Sequence, residues 1–305
     1  MYNKNNNRNK NKNQSDKNNK FSNNKKSDKN NKFSNNKKTD KKSYEGKKDN
    51  FKFSNRTKRT NKTNDIEKPS DGTVRLNKYI ANAGICSRRE ADKLIEAGVV
   101  KVNGETVTTL GYKVKPTDIV EVEGQKIKNE KKVYILLNKP KDYLTTTKDP
   151  QNRKTVMELI KDAVKERVFP VGRLDRQTTG LLLFTNDGEL ADKLMHPKSN
   201  VPKLYHVTLD KNFSGSDFEK LIKGIELEDG FIKPDALSYV MGKKNELGIQ
   251  IHSGKNRIIR RIFEHLGYDV IKLDRVMYAG LTKKNLPRGK WRFLTEKEVN
   301  FLKML

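Results

Sequence analysis

The first 72 residues contain no Val, no Leu and a single Ile, Ile66, while Asn and Lys fill more than half of the positions. No hydrophobic core can be assembled from such a stretch, so every folded element of this 305-residue chain must come from residues beyond it. The stretch also repeats itself: Lys20-Phe21-Ser22-Asn23-Asn24-Lys25-Lys26 returns twelve residues later as Lys32-Phe33-Ser34-Asn35-Asn36-Lys37-Lys38. Residues 1–72 are therefore expected to form a disordered Asn/Lys-rich tail.

That tail carries 22 Lys and Arg against 8 Asp and Glu, or +14, half of the chain's formal charge of +28. An excess of this size predicts a polyanionic partner, either nucleic acid or an anionic membrane surface. Two uses of the tail stay open, an RNA tether whose Phe and Tyr stack on bases and a merely solvated extension. No apolar run approaches the ~20 residues that span a bilayer, and no signal-peptide core opens the chain. The expectation is a cytoplasmic protein that works on RNA or DNA.

The same inventory excludes several chemistries. Cys86 is the single cysteine, which rules out an intramolecular disulfide and a cysteine-rich zinc site. The four histidines, His196, His206, His252 and His265, have no metal-ligand spacing, and neither G-x-G-x-x-G nor G-x-x-x-x-G-K-[ST] occurs. No metal and no nucleotide cofactor is expected.

Folding starts near Val74. Leu76, Tyr79, Ile80 and Ala83 recur at helical spacing up to Gly84. Ser87 with Glu90 three residues on predicts a capped second helix, with Ala91, Leu94 and Ile95 inside and Arg88, Arg89 and Lys93 outside. Val99 to Val102, the turn Asn103-Gly104 and Ile119 to Val122 predict a small hairpin sheet. Residues 73–127 thus read as a compact basic module, followed by a polar linker. By residue type alone, Arg88, Arg89 and Lys93 fit an ordinary solvated helix face as well as a phosphate-binding one.

A second domain is expected over 133–305. Its first strand is Val133 to Leu137, closed by Asn138-Lys139-Pro140, and a helix is expected from about Thr155 to Ile160. Strands at 168–171, 181–184, 203–209 and 249–252 interleave with helices ending near Met195, capped by Ser216 with Glu219, and running through Ile259-Phe263. The lack of regular alternation points to an α+β fold around one large mixed sheet.

Within it, Gly172-Arg173-Leu174-Asp175-Arg176-Gln177-Thr178-Thr179-Gly180 sets an aspartate between arginines just before an apolar strand. The pattern reads as a carboxylate at the rim of a sheet, kept ionised by an arginine fork worth roughly 4 kcal/mol at ~4 Å before desolvation. A surface salt-bridge patch is the plainer alternative. Downstream, Lys255-Asn256-Arg257 leads into a helix with Ile259, Ile262, Phe263 and Leu266 on one side, Arg257, Arg261 and Glu264 on the other, and Arg260 at the border. From there a guanidinium can reach a cleft or remain in a solvated stripe.

Two resemblances organise these segments. "RLNKYIANAGICSRREADKLIEAGVVKVNGE" resembles the S-four type RNA-binding domain, which would make Arg88, Arg89 and Lys93 phosphate contacts. Gly172 to Asp175 with Thr179 to Leu182, Lys203-Leu204-Tyr205, and Gly254 to Arg257 with Arg260-Arg261 resemble successive motifs of the RsuA/RluB family of ribosomal RNA pseudouridine synthases. The resemblance implies an isomerase of uridine in ribosomal RNA, large-subunit before small-subunit, with a small RNA-binding domain ahead of a mixed-sheet catalytic domain, and no cofactor. It implies Asp175 as the catalytic aspartate, Tyr205 as the ring that stacks on a flipped base, and Arg260 as the aspartate's basic partner. Arg173, Lys255, Asn256 and Arg257 would be RNA or structural contacts. One position departs from the pattern: Ile258 stands where the family usually has Gln. A non-catalytic ribosome-assembly factor is the main rival, a methyltransferase or nuclease the lesser one, and a monomer is the default state.

Overall fold

The computed structural model describes residues 72–305, so the tail expected over 1–72 lies, Gly72 apart, outside the described residues. The basic module begins with α1 (Leu76–Asn82) and α2 (Arg88–Glu96). Ser87 and Glu90 close a reciprocal capping box: Glu90 N–H donates to Ser87 Oγ at 3.2 Å, and Ser87 N–H to Glu90 Oε2 at 2.9 Å. Behind the helices, β1 (Val100–Val102) and β2 (Val120–Val122) pair antiparallel within a four-stranded sheet. The turn after β1 has Asn103 at φ 51° and Gly104 at φ 87°, the mirror-image turn that Asn-Gly favours. Leu76, Ile80, Ala91, Ile95, Val100 and Val120 form this module's core.

The larger module is built on a nine-stranded mixed sheet. Its strands are β3 (Tyr134–Lys139), β4 (Phe169–Val171), β5 (Thr179–Thr185), β6 (Lys203–Leu209), β7 (Ala236–Val240), β8 (Lys243–Ile251), β9 (Val270–Tyr278), a short strand at Leu281–Thr282, and β10 (Trp291–Phe293). Along the main path the order is β7-β8-β6-β9-β5-β3-β10. Pairings are antiparallel except β9 on β5, where Asp274 faces Thr179 and Arg275 faces Gly180.

That parallel pair sits at the centre, and β3 and β5 are covered on both sides. Ile135, Leu137, Leu182 and Phe184 pack into one core, Leu136, Leu181 and Leu183 into another. Double coverage explains why these strands read as unbroken apolar runs. β6 instead alternates buried and partly exposed residues. Helices α3 (Gly188–Met195), α4 (Gly215–Lys223), α5 (Ile258–His265) and α6 (Glu296–Met304) complete the domain.

Two local expectations need correction. Residues 155–160 form a run of turns, with Leu159 N–H donating to Val156 C=O and Ile160 N–H to Met157 C=O. So short a segment does not offset the cost of helix nucleation, and the buried Val156 and Ile160 anchor it as turns. The cap of α4 is Ser214, whose Oγ accepts from Asp217 N–H at 3.1 Å. Ser-x-x-Asp at 214–217 wins over Ser-x-x-Glu at 216–219, leaving Ser216 inside the first turn.

Candidate active site

Asp175 lies in the loop that enters β5, and a buried lysine holds that loop. Lys139, at the end of β3 and fully buried, directs Nζ to the carbonyls of Pro140, Asp175, Arg176 and Thr178 at 3.1, 3.1, 3.2 and 2.9 Å. Burial draws its pKa down to about 8, against the upward pull of Asp175 and Asp142. Thr145 adds a further clamp, donating Oγ1–H to the Leu174 carbonyl at 2.7 Å. With its carbonyls tied inward, the loop has little freedom to turn the Asp175 side chain away.

Gly180 brings the neighbouring strand close. A Cβ at this position would stand 2.3 Å from the Arg275 carbonyl oxygen, and its φ is +109°. Only glycine allows β9 to lie this near β5. Arg275 is in turn the register partner of Tyr205 on β6, so aspartate loop, tyrosine strand and β9 converge.

A cavity of about 230 Å³ opens between them, walled by Asp175, Tyr205, Arg173, Lys255 and Arg257. Tyr205 is 9% exposed there. A second recess of about 500 Å³ shares Arg173, Asp175 and Arg257 and reaches Lys148 and Arg153. The carboxylate therefore stands on the wall between two openings. Arg257 sits in the left-handed region, φ 47°, at the N-terminus of α5, a conformation costing a non-glycine residue on the order of 1 kcal/mol. Ile258 is buried and lines the cavity, so the position where the resembled family usually has Gln presents an apolar surface here.

The expected arginine fork on Asp175 is absent: Asp175 makes no ion pair among the described residues. Arg176 instead meets Asp142, Nε to Oδ1 at 3.4 Å, and Arg173 faces the openings. Arg260, expected as the partner, donates Nη1–H to the Val270 carbonyl at 2.8 Å. It is half-buried at the border of α5, and burial and Arg257 lower its pKa while the charge of Asp175 raises it. Interaction between the two runs through space rather than through contact, because the strand-end carbonyl is the nearer acceptor.

The other expected contacts separate. Lys255 is on the cavity wall, but its Nζ is held by the Asp229 carbonyl at 2.6 Å and its carboxylate at 3.4 Å. Asn256 is exposed, and the cavity wall on that loop consists of Ser253, Gly254, Lys255 and Arg257. Arg88, Arg89 and Lys93 are exposed on α2, away from the cavity. Arg88 pairs with Asp192 of α3 at 3.0 Å, Glu90 pairs with Lys148 at 2.7 Å, and Arg167 donates to the Cys86 carbonyl at 2.9 Å. A first-helix residue joins this set, Lys78 lying 3.7 Å from Glu189.

The sequence reading gave no role to Lys139 or Arg275, and named Lys203 only as part of the Lys203-Leu204-Tyr205 motif. Lys203 and Arg275 also line the cavity. A strand-period reading of 270–278 would have placed Leu273 and Arg275 on one face, and Lys203 lies two residues before Tyr205 on another.

An RNA-binding-type module followed by a mixed-sheet domain with Asp175, Tyr205 and Tyr278 in a basic cavity defines a class of RNA-modifying enzyme. Residues 133–265 match the RNA pseudouridylate synthase family, and residues 74–120 match the S4 domain. An uncharacterized RNA pseudouridine synthase of Aquifex aeolicus is 47% identical over 230 residues, 74% of this chain and 92% of that protein. Ribosomal large subunit pseudouridine synthase B of Bacillus subtilis is 45% identical over 235 residues, covering 76% and 96%. A solved pseudouridylate synthase superposes with a TM-score of 0.55 at 27% identity, over 75% of this chain and 99% of that one. The chain belongs to the RNA pseudouridine synthases.

Proposed function

We propose that this protein isomerises a uridine of ribosomal RNA to pseudouridine, that the RNA belongs to the large subunit, and that it acts as a monomer in the cytoplasm during ribosome assembly, without a cofactor. The observation that carries the chemistry is the shared cavity: Asp175 and Tyr205 face one space bordered by Arg173, Lys255 and Arg257. Relatives named for the large ribosomal subunit support the choice of RNA.

In this reading the target nucleotide is turned out of its stack, at a cost of a few kcal/mol, and its base rests on Tyr205. Asp175 attacks C1' or removes the C2' proton as the C1'–N1 bond breaks; the uracil turns, and C5 joins C1'. Arg260 adds positive charge near Asp175 from a distance, and Arg173 and Arg257 hold flanking phosphates. Arg88, Arg89 and Lys93 bind RNA through the smaller module. Asp175→Asn is expected to abolish tritium release from ribosomal RNA carrying uridine labelled at C5, with RNA affinity unchanged within about threefold. Wild-type release by that variant would remove Asp175 from the chemistry.

A further inference from the structure

The floor of the cavity holds two cations that the proposed reaction has not used. Arg275 of β9 is 3% exposed; its Nε donates to the Leu181 carbonyl at 2.8 Å, and its guanidinium lies 4.5 Å from the centre of the Tyr278 ring. Its Nη2, fully shielded from solvent, has no hydrogen-bond partner among the described residues. Lys203 of β6 precedes Tyr205 by two residues and lines the same cavity. It donates from Nζ to the carbonyls of Val201 and His252 at 2.9 and 2.7 Å, which leaves one ammonium proton unassigned. Neither cation is in an ion pair among the described residues. Burial, followed by the charge of Arg275, brings the pKa of Lys203 down to about 8, with Asp235 opposing. Thr178 Oγ1, also buried and without a partner among the described residues, belongs to the same wall.

Two neighbouring cations without a counter-ion are costly to desolvate. A wall residue needed only for packing would be cheaper as an uncharged side chain. The cost is offset where negative charge develops during the reaction. Pseudouridine formation produces such a charge: the electron pair of the C1'–N1 bond leaves with the uracil and spreads over N1, O2 and O4.

We propose that Arg275 and Lys203 form the cradle for the departing uracil anion, donating hydrogen bonds to its carbonyl oxygens from beneath Tyr205. The cradle presupposes the isomerisation proposed above. The balance is closed within the substrate and Asp175. C1' gains a bond to the Asp175 carboxylate as N1 departs, or C2' loses its proton to that carboxylate and a C1'–C2' double bond forms as N1 departs. C5 then bonds to C1' and that step is reversed at Asp175, while C5 gives up its proton to solvent and N1 takes one. The two cations form no covalent bond and transfer no proton.

The test compares Arg275→Gln, Lys203→Gln and Lys203→Arg with wild type in single turnovers, using the full chain. The substrates are ribosomal RNA transcripts with uridine or 5-fluorouridine, whose base leaves more readily as an anion; because fluorine replaces the C5 proton that the last step releases, the rate read for both is the loss of the parent nucleoside on chromatography of the digest. The glutamine variants are expected to lose about 10²–10³-fold on uridine with RNA affinity within about threefold. On 5-fluorouridine the loss should shrink at least tenfold, and Lys203→Arg should keep most of the rate. Equal slowing of both substrates, or a loss of affinity matching the loss of rate, would overturn the cradle alone. A wild type that leaves uridine unchanged would overturn the isomerisation and the cradle with it. Should Arg275→Gln not fold, Lys203→Gln carries the same comparison.

Discussion

The cations of α2 and those around the cavity belong to the same basic protein but answer to different physics. On α2, Arg88 is half exposed and meets Asp192, and nearby Glu90 meets Lys148, all in water. Such pairs gain little because solvent already stabilises each charge. Around the cavity, Lys139 is fully buried and Arg275 nearly so, and both direct donors at backbone carbonyls instead of carboxylates. A charge kept in that setting must hold something in place or meet a charge that arrives later. On the proposed function, burial therefore separates cations that shape the reaction from cations that attract the substrate.

The largest effect that could break this comparison is at Lys139. Replacing it by Met fills the volume but leaves four carbonyls without their common donor, including three in the Asp175 loop. Lys139→Met is expected to lower stability by about 3–5 kcal/mol and turnover by at least ~10²-fold, since a carboxylate displaced by ~1 Å loses that much. Thermal melting and tritium release read the two effects. A variant with normal turnover would show that the loop holds Asp175 without its clamp.

A second, smaller effect concerns Asp274, which stands back-to-back with this cavity on β9. Burial pushes its carboxyl up, but Arg288, Lys283 and Thr179 outweigh burial and hold it at about 2. Because the folded-state value is depressed, the stabilisation is complete above the ordinary carboxyl range near 3.9 and drains away as pH falls from there towards about 2. The melting-temperature advantage of wild type over Asp274→Asn should therefore be constant above pH 5 and narrow between pH 4 and 3. A constant gap through that range would mean that the pairing does not depend on the carboxylate's charge.

How far the sequence revealed these two classes of cation depends on the range of the contacts. Asp175 was singled out by its glycine-bracketed local pattern and Tyr205 by the resemblance, and the structure brings both to one cavity. The helix at 88–96 was likewise legible from a local pattern, since its capping box spans three residues. Lys139 was not, because a lysine closing an apolar strand looks like a residue returning to solvent, and its acceptors at Asp175 to Thr178 lie 36 to 39 residues away. Arg275 depends on the parallel pairing of β9 with β5 and a carbonyl 94 residues distant. Arg260 was placed correctly at the border of its helix, yet its direction was set by the Val270 carbonyl.

The smallest expected effect sharpens the contrast at α2. Arg88 is exposed, so Arg88→Ala should leave kcat near wild type and weaken RNA binding less than about tenfold, with the slope of log affinity against log salt reduced by about 1. Arg260→Ala, half-buried and electrically coupled to Asp175, should instead reduce turnover more than binding. The ion pair to Asp192 adds a condition, because RNA and Asp192 compete for one guanidinium. Asp192→Ala should then strengthen RNA binding slightly, and a double-mutant cycle of Arg88 with Asp192 should give a folding coupling below about 1 kcal/mol. If Asp192→Ala weakens binding to the same extent as Arg88→Ala, the pair works by fixing the small module against the catalytic one, and α2 joins the cavity as a place where position rather than charge matters.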